Sequence, residues 1–212
     1  MTMASRYNSI IKISPAAVLP GSGLLIIASG RLAHAIIVTG ALVWVYGLTS
    51  LVIYTAAKIF PRQGRAVLIS FLASFMAAVY LFTLWLLSPL CALETFFAIS
   101  LVPVFYMTSG VSKRFDILLA ADSFFSFREG FETFSLGVLL MAFAIIREPL
   151  GFLSLSLPGG AHGSVLLFSF NVKSILPIQL IASSGGALLL LGYFWGLYKY
   201  MNKAQEGDKN AR

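Results

Sequence analysis

A run of 23 residues, Ala66–Ser88, carries no charged side chain. As a helix it would rise about 35 Å, more than the roughly 30 Å hydrocarbon core of a bilayer. In water it would be an apolar cylinder with no polar face, so its presence restricts the chain to folds that cover it with protein or with lipid. The rest of the chain decides between the two. Five more apolar runs occur, at Ala16–Ser29, Leu32–Phe60, Pro89–Ser109, Thr133–Gly151 and Ile175–Met201. Hydrophobic residues make up 58% of the 212 and charged residues only 11%, against about 25% charged in a soluble domain. There is too little polar surface to enclose six such segments in water. The expected fold is therefore all-α, a polytopic integral membrane protein. It forms one membrane domain over residues 1–212, with a cytoplasmic segment 1–15, six membrane segments within 16–201 and a cytoplasmic tail 202–212.

The net charge is +7. On a soluble chain that excess would suggest nucleic acid. Here the cations sit between apolar runs, where they report orientation, because Lys and Arg are retained on the cytoplasmic side. With six segments, one side collects Arg6, Lys12, Lys58, Arg62, Arg65, Lys113, Arg114, Arg128, Lys199, Lys203, Lys209 and Arg212. The other side has only Arg31, Arg147 and Lys173. This asymmetry places both termini in the cytoplasm and the protein in the cell (inner) membrane, with lipid as a partner and no nucleic acid. No secretory signal is read at the start, because Pro20-Gly21-Ser22-Gly23 interrupts the first apolar run and no compact cleavage site follows it.

Three segments per half would give the halves opposite orientation, an inverted repeat. Segment one contains Pro20–Gly23 and segment four contains Pro103, so both are expected to be broken. Interrupted segments at equivalent places in two inverted halves point to a site near mid-membrane. The competing reading is that Pro20 and Pro103 only kink two complete helices. Gly185-Gly186, Gly192 and Gly196 in the last segment would let a neighbouring helix approach closely.

Few residues carry chemistry. Arg147 and Glu148 follow thirteen uncharged residues, Phe134–Ile146, and precede Pro149 and Gly151. They form an opposite-charge pair at the end of segment five, to be read either as a functional pair or as an arginine that snorkels to the interface. His34 and Glu94 each lie near a segment end and read as interface residues. Gly159–Gly163, GGAHG, reads as an exposed loop, since no Lys and Ser/Thr of a phosphate-binding loop follows it. The stretch Val111–Glu129 mixes Phe115, Ile117, Leu118, Phe124, Phe125 and Phe127 with Lys113, Arg114 and Arg128. It reads as an amphipathic surface on the cytoplasmic leaflet or a docking face. The single cysteine, Cys91, cannot close an internal disulfide or hold a metal alone. No catalytic residue and no metal site are expected.

One set of short motifs goes further than composition. Thr49-Ser50-Leu51, Ile59-Phe60-Pro61 with Arg65, Gly110 with Phe115, Ile146-Arg147-Glu148-Pro149-Leu150-Gly151, and Gly186-Ala187 with Gly192 occur in that order. Together they resemble the six-helix subunits of the Rnf and Nqr electron-transport complexes, most nearly the Rnf E / Nqr D type. The Arg147–Gly151 motif is the most specific of them. The resemblance covers most of the chain. It implies cytoplasmic ends, a paralogous membrane subunit and other Rnf/Nqr-type subunits as partners, and a 2Fe–2S cluster shared with the paralogue. In that family, segments one and four each supply one cysteine. The matching positions here are Gly23 and Tyr106, and neither can be a thiolate ligand for cluster iron. No cofactor is therefore expected on this chain.

The resulting expectation is a diverged membrane subunit of an ion-motive electron-transport complex, with a scaffold or ion-path role and no cluster of its own. At most it is a subunit of an ion-translocating oxidoreductase. A small stand-alone transporter or channel-like protein without a redox role is the alternative. A third reading is an anchor for a soluble enzyme, docked on the 110–129 loop.

Overall fold

A computed structural model describes residues 15–56, 65–108, 127–159, 163–169, 179–193 and 196. The Val111–Glu129 surface expected from the sequence falls largely outside the described residues. The helices are α1 (Pro15–Ala28), α2 (Leu32–Ala56), α3 (Arg65–Leu87), α4 (Pro89–Thr108) and α5 (Phe127–Phe152). A two-stranded antiparallel sheet follows, β1 (Ser154–Pro158) and β2 (Ser164–Ser169). The short α6 (Gln179–Ala182) comes next, and after Ser183 the chain turns helical again in α7 (Ser184–Tyr193).

Among the described residues, four helices are long and apolar enough to cross a membrane: Leu32–Ile53, Val67–Leu87, Pro89–Thr108 and Thr133–Phe152. The side chains they turn outward are apolar too. Val67, Phe71, Phe75, Phe82, Trp85 and Leu87 of α3, and Leu93, Phe96 and Phe97 of α4, are exposed. A surface of this composition is suited to lipid rather than water. The described part of α1, 14 residues, rises about 21 Å.

The contacts fix the helix directions. Ser88 alone links α3 to α4, so the two form a tight antiparallel hairpin, and Ser70 near the start of α3 reaches Met107 near the end of α4. Along α1 and α4 the neighbours run in opposite order, with Gly21 beside Phe105 and Gly23 beside Leu101. The same holds for α2 and α5, where the Thr39 hydroxyl donates to the Gly137 carbonyl and Leu32 meets Glu148. Tyr80 of α3 donates to the carbonyl of Ile37 in α2. The core lies between α1, α2, α4 and α5 and is built from residues such as Leu24, Val38, Val45, Ile99, Val102 and Leu140. The starts of α2 and α4, the ends of α1, α3 and α5, and the β-hairpin all gather at one end of the bundle.

Three expectations change. Pro20–Gly23 does not break segment one, and Pro103 does not break segment four; α1 and α4 run through them. A proline in a membrane helix removes one hydrogen bond, and neighbouring helices make that tolerable. The interruptions lie instead at Ser29–Arg31, between α1 and α2, and at Ser183, between α6 and α7. The fold is mostly helical but not all-α, because Ser154–Pro158 and Ser164–Ser169 form a hairpin. Leu153, at φ 52°, ends α5, and its amide donates back to Pro149. The serine–leucine alternation of 154–157 then has the period of a strand. GGAHG is the connection of that hairpin, and Gly160–His162 lie outside the described residues.

Candidate functional site: a buried arginine and glutamate at the helix interruptions

Arg147 and Glu148 sit in the last turn and a half of α5, and both are buried, at 2% and 1% exposure. At that depth Arg147 does not snorkel to water. Successive residues on a helix leave it about 100° apart and do not face each other. The two side chains accordingly bond to different elements.

Arg147 reaches the two interruptions. Its Nη1 donates to the Ile26 carbonyl and to Ser29 Oγ, both at 2.9 Å. Its Nε donates to the Ile181 carbonyl at 2.9 Å and its Nη2 to the Ser183 carbonyl at 2.8 Å. The last carbonyls of a helix have no partner within it and carry the negative end of its dipole. A guanidinium offers five N–H groups in a planar fork and can serve several such carbonyls at once. Glu148 does the opposite job. Its Oε2 accepts the backbone amide of Leu32, the first residue of α2, at 2.8 Å, and an anion at a helix start is favourable for the same electrostatic reason. So the cation sits at the end of α1 and the anion at the start of α2, on either side of the Ser29–Arg31 turn.

The surroundings hold this arrangement in place. Arg31 lies over the Phe152 ring, 5.8 Å from its centroid. Leu155 and Leu157 of β1 pack against Leu32, Ala35 and Ala144. Beyond Ser183, Gly186 comes so close to the Leu180 carbonyl that a side chain there would overlap it. This close approach is made within the interrupted segment itself, not to a neighbouring helix as the sequence suggests.

His34 and Glu94 are brought together at the same end, with Nε2 and Oε2 2.7 Å apart. Glu94 remains half-exposed while His34 is mostly covered. Cys91 is buried and its thiol donates to the Gly163 carbonyl at 2.6 Å. It lies 15 residues, about 22 Å along α4, from Tyr106.

Tyr106 lies toward the other end, near the finish of α4, and Gly23 about a turn and a half before the end of α1. A Cβ at Gly23 would meet only the Leu101 side chain, and the Tyr106 ring packs edge-on to Tyr46, with centroids 6.3 Å apart. Carbon and a phenol are all these positions offer, so they do not fit an iron–sulfur cluster. Among the described residues, no three His, Cys, Asp or Glu side chains gather as a metal site. Near Tyr46, Thr49 and Ser50 are buried, and Thr49 Oγ1 has no hydrogen-bond partner among the described residues.

The sequence marked Arg147 and Glu148 but not their partners. Three of the Arg147 acceptors are main-chain carbonyls, which any residue supplies. The readable hints were the helix-breaking groups Ser29-Gly30 and Ser183-Ser184-Gly185-Gly186.

No protein-family model, no characterised protein and no solved structure matches the chain. What the fold itself defines is a class: a mostly helical protein with, among the described residues, four helices long and apolar enough to cross a membrane and a buried charged site joining helix ends.

Proposed function

We propose that the chain is a membrane subunit related to the six-helix Rnf/Nqr type, packed against a paralogous partner in an ion-motive electron-transport complex of the cell membrane. Its role is that of a scaffold or part of an ion path, without a cluster of its own. One observation carries this reading: α1 packs antiparallel on α4, and α2 antiparallel on α5. Two three-segment halves of opposite orientation would produce these two pairs. The motif that carries the family resemblance, Ile146–Gly151, includes the two buried charges that bond to the ends of α1 and α2. A residue set of that kind supports a structural role.

The cation pattern supports cytoplasmic termini. Lys58 and Arg62 follow α2, Arg65 opens α3, Lys113 and Arg114 precede α5 and Arg128 lies in its first turn, while the opposite side has Arg31, the buried Arg147 and Lys173. On this orientation the β-hairpin faces away from the cytoplasm.

A small transporter acting alone is the second reading, favoured by Thr49, Ser50 and Tyr46 buried within the bundle near Tyr106. Polar groups inside a membrane protein are costly and tend to line pathways. Purification from its own membrane in mild detergent separates the two. Stoichiometric recovery with a second multi-helix subunit and redox proteins supports the complex. Recovery of the chain by itself, with solute or ion flux after reconstitution, replaces it with the transporter.

A further inference from the structure

The hairpin carries an apolar surface that the fold does not use. Val165, Leu166, Leu167 and Phe168 of β2 are between 46% and 66% exposed. Successive side chains of a strand point to opposite faces, so neither face of β2 is polar. From Pro149 to Val172 the chain has no Lys, Arg, Asp or Glu.

The position of this surface is fixed. Leu155 and Leu157 anchor β1 to the first turn of α2 and to Ala144 of α5. At the turn, Gly163 has φ 79°, and a Cβ there would lie 2.7 Å from Cys91 Sγ. The turn of the hairpin is thus pressed onto the first turn of α4 at Cys91. Leu90 and Leu93 of that turn are themselves exposed and apolar.

We propose that β2 lies in the lipid of the membrane interface at this end, with Val165–Phe168 against the acyl-chain boundary. This rests on the membrane reading of the bundle and is independent of the redox assignment. Two opposing constraints set the depth. The apolar side chains gain by leaving water, and interfacial segments of this kind sink about 5–10 Å below the headgroups. Among the described residues, β2 pairs only with β1, so its outer edge presents main-chain amides and carbonyls. Hydrocarbon cannot satisfy them, which keeps the strand at a level water still reaches. A protein partner would be expected to meet polar side chains as well, about one hydrogen bond per 100–200 Å² of interface. Apart from Ser164 and Ser169 at its ends, β2 has none to offer.

The test is spin-label depth measurement on the full chain reconstituted in phosphatidylcholine vesicles. Leu166→Cys and Phe168→Cys carry the label in turn. Both sites are exposed, so neither change disturbs packing, and the buried Cys91 is checked for labelling in the unsubstituted protein. Phe75→Cys, midway along the exposed face of α3, is the deep reference. The expected result is a ratio of oxygen to nickel-chelate collisions at 166 and 168 several-fold above that of a label in water and below that at 75. Equal access of the nickel chelate at 166 or 168 and at a water-exposed label would overturn the proposal. So would shielding from both reagents, which would mean that a second copy covers the strand. If the label at 75 also behaves as in water, the membrane reading fails together with the proposal.

Discussion

The amide of Leu32 donates to Glu148 Oε2 at 2.8 Å, joining the start of α2 to the end of α5 across 116 residues of sequence. With the neighbouring bonds from Arg147 to Ile26, Ser29, Ile181 and Ser183, it ties both interruptions of the helical chain to one turn of α5. Neither charge is at home in an apolar interior unless its partners are in place.

Arg147→Ala leaves the Ile26, Ile181 and Ser183 carbonyls and the Ser29 hydroxyl without this donor. Each buried acceptor left unsatisfied costs about 1–3 kcal/mol. The folded yield after detergent extraction should fall sharply, while Arg31→Ala, at a partly exposed position, should change it little. Arg147→Lys should recover only part of the loss, because an ammonium lacks the planar fork.

Glu148→Gln keeps an oxygen acceptor for the Leu32 amide and gives up the charge. The expected cost is about 1–2 kcal/mol, within the range for a charge-assisted bond replaced by a neutral one. Glu148→Ala also leaves the amide unsatisfied and should cost more. Unfolding titrations in mixed micelles rank the two, and a Gln variant as unstable as the Ala variant would contradict the bond.

Gly163→Ala introduces a Cβ against Cys91 Sγ in a backbone conformation that side chains disfavour. The turn should lift from α4. Cys91, buried in the unsubstituted protein, should then react with a maleimide many times faster. An unchanged rate would mean that the turn does not shield the thiol.

Anaerobically purified protein is expected to hold no iron above background, since Gly23 and Tyr106 stand where the family resemblance implies thiolates. Stoichiometric iron with acid-labile sulfide in the isolated chain would contradict this. A reporter fused after Arg212 should be active only on the cytoplasmic side, and activity on the outer side would sink either the orientation or the span count.

Much of the fold was legible because lipid imposes a coarse rule: long uncharged runs must be helices. The four long spans match runs read from composition to within a few residues at most ends. Proline and glycine are weak guides to breaks here: Pro20 and Pro103 sit inside continuous helices, where packing outweighs propensity. The turn at Ser29–Arg31 falls where the first and second apolar runs part, as read from the sequence, whereas the interruption at Ser183 has no counterpart in that reading. The hairpin was missed although Ser154–Leu157 alternates with period two, since a strand of five residues is a weak signal beside apolar runs of twenty. Arg147 and Glu148 stood out as charges in an apolar stretch. Their roles depend on main-chain groups more than 30 residues away, which no side-chain pattern encodes. His34 and Glu94 read singly as interface residues, and they meet because α2 and α4 start at the same end of the bundle.

Hydrogen–deuterium exchange on Arg147→Gln, compared with Arg31→Gln in the same detergent, tests the central claim most directly. If Arg147 ties the interruptions together, exchange should rise by at least tenfold, about 1.4 kcal/mol of lost protection, at the end of α1, at Leu32 and across Ser183–Ala187, with α3 unchanged. Unaltered exchange at those segments, or an equal rise throughout the bundle, would contradict it.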